Sequence, residues 1–259
     1  ARLRNEAEQM ERAADAAEAA AEAAARDATI QASPSTREQM AHAHSRPPTT
    51  TALEGAARRR VLGQMRNAYT STCEAYGAVP AARVLHQLEA CRLDLRAYRL
   101  GARGIYAVAA LVAINESWRS LHLGQNAMRA SGAAALAATL AQNHRLVEMD
   151  LTANLIGGNA GALLMEALVH GPLATLACLR LGTNQLGDGA TASVCAYVHA
   201  STCLRTLSLE ENQISDKSVK PLGACLAEPT CPLVSLSLRV RHLPIHLHDL
   251  PWPSMTFHD

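Results

Sequence analysis

The chain has 259 residues, of which 49% are hydrophobic and 3% aromatic, and its formal net charge is +1 at pH 7. This balance gives no electrostatic reason to expect nucleic acid or an anionic membrane as the main partner. No run of about 18 apolar residues occurs, so the sequence predicts no transmembrane helix. Seven scattered cysteines without a CxxC pair favour reduced thiols and an intracellular location.

The first part of the chain predicts a helix, a linker and a helical cap. In residues 1–32 alanine, the best helix former, alternates with charged residues, but no wide apolar stripe is present. Two interpretations stay open for it: a solvated helix, or an extension that binds a partner. Residues 33–52 contain prolines and Ser/Thr clusters and predict a linker. Residues 53–88 return to a helical pattern and predict an N-terminal cap, with a second short helix after Pro80.

From residue 89 onward the chain repeats the pattern LxLxxNxL at intervals of 28, 28, 30, 28 and 29 residues. The copies begin at Leu93, Leu121, Met149, Leu179, Leu207 and Leu236. Pattern and period resemble leucine-rich repeats of the ribonuclease-inhibitor subtype. Alternating leucines place one face of a short strand in the core, and a stretch with helical period follows each strand. Residues 89–243 therefore predict an α/β solenoid, a horseshoe with parallel strands inside and helices outside.

The asparagine of each repeat is expected to turn the chain and to hydrogen-bond backbone groups of its own loop and the neighbouring repeat. The predicted ladder consists of Asn126, Asn154, Asn184 and Asn212. Tyr98 replaces this asparagine in the first copy and Arg241 in the degraded last copy, as is common in terminal repeats. Residues 244–259 contain three prolines and predict an irregular tail. Five good copies and no initiator Met suggest a piece of a longer repeat protein.

The segment before the first repeat has a second resemblance. Cys73 to Pro80, followed by residues 84–88 and the first LxL, resembles the start of the leucine-rich repeat-containing protein 74 family, and the similarity covers residues 69–240. Related repeat proteins are components of cilia and flagella. The resemblance therefore implies a non-enzymatic scaffold in an axoneme or another cytoskeletal assembly. Its partners would be other proteins of a large complex, with no nucleic acid, membrane or small-molecule substrate.

The outward positions of the predicted strands and their turns form the candidate partner-binding surface. Its charged and polar members are Arg92, Asp94, Arg96, His122, Glu148, Asp150, Arg180, Glu210 and Glu211. A surface with patterned charge suits a protein partner, because electrostatic complementarity provides specificity and orientation. A solvated sheet face without a partner is the alternative interpretation.

The sequence gives only weak evidence for a nucleotide-binding or metal-binding site. Residues 187–192 match GxGxxA after a strand, but a lone match has little specificity and a repeat turn also explains it. His242, His246 and His248 lie near Cys231 in sequence, yet their spacing does not fit a zinc site. We therefore predict no catalytic residue, no metal and no cofactor.

Two other functions are compatible with leucine-rich repeats: activation of a GTPase and inhibition or sensing of another protein. A GTPase activator resembling the Ran-activating leucine-rich repeat proteins would act on a small GTPase, but that family has a strongly acidic tail, which residues 244–259 lack. An inhibitor or sensor of the ribonuclease-inhibitor kind would be expected to have more cysteines and a markedly acidic charge. The GTPase activator is kept as the alternative to the scaffold.

Overall fold

The structure is a computed structural model and describes residues 50–140, 142–171 and 175–238. Within these ranges the chain forms seven α-helices, one 3₁₀ helix and six β-strands. The chain divides into two units, Ala1–Gln64 and Met65–Asp259. Of the first unit, only residues 50–64 are described, and they are helical. The predicted helix at 1–32 and the tail at 244–259 lie outside the described residues.

Two helices precede the repeats. Helix α1 spans Thr50–Tyr76 and helix α2 spans Ala82–His86. Helix α1 thus begins inside the predicted linker 33–52, and the linker prediction is too long at its C-terminal end.

The end of α1 is buried on one side. Met65, Tyr69 and Cys73 recur at intervals of four residues and are all buried, so they lie on one face of the helix. The Tyr69 hydroxyl accepts a hydrogen bond of 3.0 Å from the backbone N–H of Ala81, which connects α1 to the start of α2. Burial raises the pKa of both the Tyr69 phenol and the Cys73 thiol.

The six strands form one parallel sheet in sequence order. They are β1 (Arg92–Asp94), β2 (Ser120–His122), β3 (Glu148–Asp150), β4 (Cys178–Arg180), β5 (Thr206–Ser208) and β6 (Ser235–Ser237). The register aligns equivalent repeat positions, so Leu93 pairs with Leu121 and Leu121 with Met149. Each strand begins one residue before the corresponding LxL copy.

A helix follows each of the first five strands. These helices are α3 (Gly101–Val112), α4 (Arg129–Leu140), α5 (Gly158–His170), α6 (Thr191–Ala200) and α7 (Asp216–Leu226), and a 3₁₀ turn, Asp188–Ala190, precedes α6. The leucines of the strands and the apolar faces of the helices form the core between the two layers. The prediction of an α/β repeat solenoid with parallel strands and helices is confirmed.

Adjacent repeats approach each other closely at the start of α5. A Cβ atom at Gly158 would lie 2.7 Å from the carbonyl oxygen of Leu186 in the next repeat, closer than van der Waals contact permits. At Gly161 an added Cβ would overlap the Leu186 side chain. Glycine at these two positions therefore allows the helix to pack against the following turn.

Candidate partner-binding surface

Side chains on the face of the sheet opposite the leucines form a surface that we call the open face. Leu93, Leu95 and Leu121 point into the core and are fully buried, so the residues between them lie on the opposite side of the sheet. The open face consists of Arg92, Asp94, Arg96, Ser120, His122, Glu148, Asp150, Thr152, Cys178, Arg180, Thr206, Ser208, Glu210, Ser235 and Ser237. None of these side chains belongs to Phe, Tyr or Trp.

One carboxylate organises the open face at β1. Asp94 accepts hydrogen bonds from Arg96 Nη2 at 2.8 Å and Arg96 Nε at 3.1 Å, and Arg92 Nη2 lies 3.4 Å from its Oδ2. The backbone N–H of Arg96 also donates to Asp94 Oδ1 at 3.3 Å. The hydrogen bonds from Arg96 hold the pKa of Asp94 below its ordinary value, despite partial burial. Asp94 therefore stays ionised at neutral pH.

A second carboxylate connects β2, β3 and β4. Arg180 Nη1 donates a short hydrogen bond to Glu148 Oε1, and this bond lowers the pKa of Glu148. His122 Nε2 lies 3.4 Å from Glu148 Oε2, while His122 Nδ1 lies 3.0 Å from Arg92 Nη2. Because a guanidinium can only donate, we assign Nδ1 as the acceptor and the imidazole proton to Nε2. His122 Nε2 makes no hydrogen bond within the described part of the chain, so hydrogen bonds run from Arg96 to His122 and between Glu148 and Arg180, and the 3.4 Å contact between His122 and Glu148 lies between the two groups.

Several predicted contact residues need correction. His122 is 4% exposed and Asp150 is 9% exposed, so neither presents its side chain to a partner. The larger side chains of neighbouring strands cover them, since strands lie only about 4.8 Å apart. Asp150 Oδ1 accepts from the backbone N–H of Thr152 at 3.0 Å. Glu211 is not on a strand: it lies in the turn beside Asn212, with φ +55°.

The remaining predicted residues lie on the open face. The charged part of the open face lies over β1–β4 and consists of Arg92, Asp94, Arg96, Glu148 and Arg180. Glu210 accepts a short hydrogen bond from the Ser237 hydroxyl, and it lies apart from that cluster, next to the small polar residues of β5 and β6.

The four predicted ladder asparagines are fully buried. Asn154 shows the pattern: its Nδ2 donates to Leu123 O at 2.9 Å in the preceding repeat, and to Leu151 O at 2.9 Å and Thr152 O at 3.2 Å in its own repeat. Its Oδ1 accepts from the backbone N–H groups of Asn126 at 3.1 Å and Met128 at 3.3 Å. Each amide thus satisfies backbone groups that the turn would otherwise leave unpaired.

The turns around the ladder are strained. The residues flanking each ladder position have φ between +51° and +60°, although none of them is glycine. They are Ala97 and Arg99, Gln125 and Ala127, Ala153 and Leu155, Thr183 and Gln185, and Glu211 and Gln213. Left-handed backbone costs about 1 kcal/mol or more for a residue with a Cβ. The first turn has the same conformation although Tyr98 stands in the asparagine position, and the hydrogen bonds of the buried asparagines stabilise the later turns.

Comparison with known proteins agrees with this geometry. The family model described as "Leucine Rich repeat" matches residues 200–223. The repeat segment is therefore similar to leucine-rich repeat proteins in sequence, and its strand-and-helix repeats have the same architecture. Residues of the chain are similar to NACHT, LRR and PYD domains-containing protein 12 of Mus musculus, at 38% identity over 117 residues. They are also similar to ribonuclease inhibitor of Sus scrofa, at 33% identity over 99 residues.

These similarities cover parts of longer proteins. The matches span 45% of the chain and 10% of the mouse protein, and 38% of the chain and 22% of the porcine inhibitor. Among solved structures, "Leiomodin-1 Actin-Binding Site 2 (ABS2)" superimposes with a TM-score of 0.46 at 16% identity, over 56% of this chain and 88% of that one. The more specific resemblance to the leucine-rich repeat-containing protein 74 family stays a prediction.

The repeat segment contains a second, shorter ladder that the sequence analysis missed. Asn115 and Asn143 are buried after α3 and α4, and their Nδ2 atoms donate to Leu88 O at 2.8 Å and Val112 O at 2.7 Å. Each Oδ1 accepts two backbone N–H groups two and three residues further on. The signal was present in the sequence, because these two asparagines share the 28-residue spacing of the strands they precede.

The glycine-rich turn of the fourth repeat connects two repeats. The Asp188 carboxylate accepts hydrogen bonds from Ser215 N at 2.8 Å, Ser215 Oγ at 2.6 Å and Ser218 Oγ at 2.6 Å, at the start of α7. The hydrogen bonds from the two serines lower the pKa of Asp188. The repeat thus accounts for the GxGxxA match.

The described part of the chain offers neither a metal-ion site nor a membrane-spanning helix. No group of three or more His, Cys, Asp or Glu side chains within residues 50–140, 142–171 and 175–238 is arranged to hold a metal ion. Over the same ranges no helix is both long and apolar enough to span a membrane. His242, His246 and His248 lie outside these ranges.

Acidification should selectively remove the contribution of Glu148. Its pKa is below the ordinary value of 4.5 in the folded state, so it stabilises the fold above that pH and loses this contribution as the pH falls through its folded pKa. We expect wild type to unfold at higher urea than Glu148→Gln at pH 7, and the difference to shrink below pH 4.5. Glu166→Gln, at an exposed position of α5, is the control and should show no such pH-dependent difference.

Proposed function

We propose that the leucine-rich repeat domain is a non-enzymatic scaffold whose open face binds another protein. One observation supports this most: charged side chains from repeats one, three and four, with His122 of repeat two between them, are held by mutual contacts on a parallel sheet. Side chains held by such a scaffold lose little conformational entropy when a partner binds. The porcine relative is named as an inhibitor of a ribonuclease, which is an activity exerted on another protein, and this also supports a protein partner.

We further propose a cytoskeletal assembly, such as the axoneme of a cilium or flagellum, as the setting. The support is the resemblance of the segment from Cys73 to Pro80 and the following repeats to a family with axonemal relatives. The scaffold would then be one subunit of a large intracellular complex. A GTPase activator that acts on a small GTPase is the alternative.

Fractionation of ciliated cells tests both parts of the proposal. The tagged chain would be expressed as wild type and as two double variants, and detergent-extracted cells would be washed with high salt and immunoblotted. Arg92→Gln with Arg96→Gln alters the open face. Arg99→Gln with Arg129→Gln removes the same charge at exposed positions outside it. Arg180 is left intact, because its side chain is 40% exposed and thus less accessible than those of Arg92 and Arg96, at 50% and 52%.

We expect wild type and the control variant in the salt-resistant pellet and the open-face variant in the soluble fraction. Release of wild type would contradict the cytoskeletal setting, and the rate of GTP hydrolysis by small GTPases would then be measured with and without the chain. Retention of the open-face variant would contradict binding through this face.

A further inference from the structure

In the ion pairs of the open face, the two side chains of a pair differ in how much of their surface is exposed to solvent. The side chains of Arg92 and Arg96 are 50% and 52% exposed, whereas Asp94, which pairs with both, is 23% exposed. In the pair between Arg180 and Glu148, the arginine is 40% exposed and the carboxylate 28%. In each pair the cation is therefore the more accessible partner.

The carboxylates are less exposed than the arginines because they also contact the backbone or a buried side chain. Asp94 accepts a backbone N–H, and Glu148 lies between Arg180 and the buried His122. The hydrogen bond to Asp94 raises the pKa of Arg96, and the hydrogen bond to Glu148 raises the pKa of Arg180. These anions orient the guanidiniums, and the three arginine side chains are more exposed to solvent than the carboxylates that pair with them.

The positive strip ends at β4. On β5 and β6 the open face consists of Thr206, Ser208, Ser235 and Ser237 with Glu210. Among the open-face residues that the structure describes, the arginines therefore lie on β1 to β4 and the turns that follow these strands. Three strand intervals of about 4.8 Å separate β1 from β4, which is about 14 Å and equals about four residues of extended peptide.

We propose that Arg92, Arg96 and Arg180 bind an acidic, extended segment of a partner protein, with carboxylates spaced about four residues apart. The inference rests on the proposed function of the open face and specifies its partner. A guanidinium has five N–H donors and pairs with carboxylates in a bidentate manner. Each arginine therefore has donors for a second carboxylate beyond the one that holds it in place.

A protein segment fits this strip better than a nucleic acid does. The fixed carboxylates of Asp94 and Glu148 between the arginines would repel a continuous phosphate backbone. The open face also has no aromatic side chain on which bases could stack, which is the usual partner of positive charge in single-strand binding. Carboxylates placed at intervals can contact the arginines and avoid the two acids.

Fluorescence anisotropy with the purified chain tests the proposal. The probe is a labelled nine-residue Ser/Gly peptide with glutamate at positions 3 and 7, which matches the separation of about 14 Å between β1 and β4, and the matched peptide has glutamine there. We expect binding of the glutamate peptide that weakens with salt, and much weaker binding of the glutamine peptide. Arg92→Gln with Arg96→Gln should reduce the affinity about tenfold or more, since each lost charge-assisted contact contributes measurably. Arg99→Gln with Arg129→Gln should leave it unchanged.

Three results would overturn the inference. They are equal binding of the glutamine peptide, equal binding by the open-face variant, and tighter binding of a labelled oligouridylate of the same length. Far-UV circular dichroism and urea midpoints establish that both variants are folded. If the peptide fails but the open-face variant is still released from the cell pellet, the partner chemistry is wrong and the proposed function stands. If the peptide does not bind and the open-face variant stays in the pellet, both the partner chemistry and the proposed function of the open face are wrong.

Discussion

Replacing Asn154 with alanine is expected to lower the free energy of unfolding by about 3–5 kcal/mol, because each buried polar group left without a partner costs about 1–3 kcal/mol. The amide donates to three backbone carbonyls and accepts two backbone N–H groups, all in the buried turn between strands and helices. Alanine removes all five contacts and leaves the backbone N–H groups of Asn126 and Met128 without the acceptor that Asn154 provides. Urea unfolding monitored by far-UV circular dichroism measures the effect.

The matched control is Asn159→Ala. Asn159 is exposed in the first turn of α5, so the same chemical change should alter the free energy of unfolding by less than about 0.5 kcal/mol. Similar losses in the two variants would show that the ladder does not hold the turn. Because each repeat contacts mainly its neighbours, the effect of Asn154→Ala should extend to the repeats on both sides.

Replacing Trp118 with alanine is expected to lower the free energy of unfolding by about 3–5 kcal/mol, the usual cost of removing a buried tryptophan. Trp118 is 1% exposed, and its indole N–H donates to Gln87 O at 2.8 Å. Gln87 Oε1 in turn accepts from the backbone N–H of Asp94 at 3.0 Å. The indole therefore connects the end of α2 to the first and second repeats, and its loss should loosen the cap from the sheet.

Two variants separate packing from hydrogen bonding at this site. Trp118→Phe keeps much of the apolar volume and should cost less than alanine, with the remaining loss due to the unpaired Gln87 carbonyl and the smaller ring. Val79→Ala, at a largely exposed position of the same cap, should have little effect. If Trp118→Ala unfolds at the same urea concentration as wild type, the ring does not connect the cap to the repeats.

The candidate site was only partly predictable. The sequence placed Arg92, Asp94, Arg96, Glu148 and Arg180 on the outward positions of strands, because alternation along a strand is local. It did not predict which charges would pair or which would be covered. Those outcomes depend on contacts between repeats about 30 residues apart.

The sequence by itself determined the repeat architecture of this protein. The interval between LxL copies sets one strand per repeat, and the recurrent asparagine sets the turn, since both depend on residues a few positions apart. Only the tertiary structure decided that His122 and Asp150 are buried, that Asn115 and Asn143 form a second ladder, and that arginines dominate the accessible part of the open face. The physical reason is that burial and ion pairing depend on the side chains of the neighbouring repeats, which the pattern of one repeat does not specify.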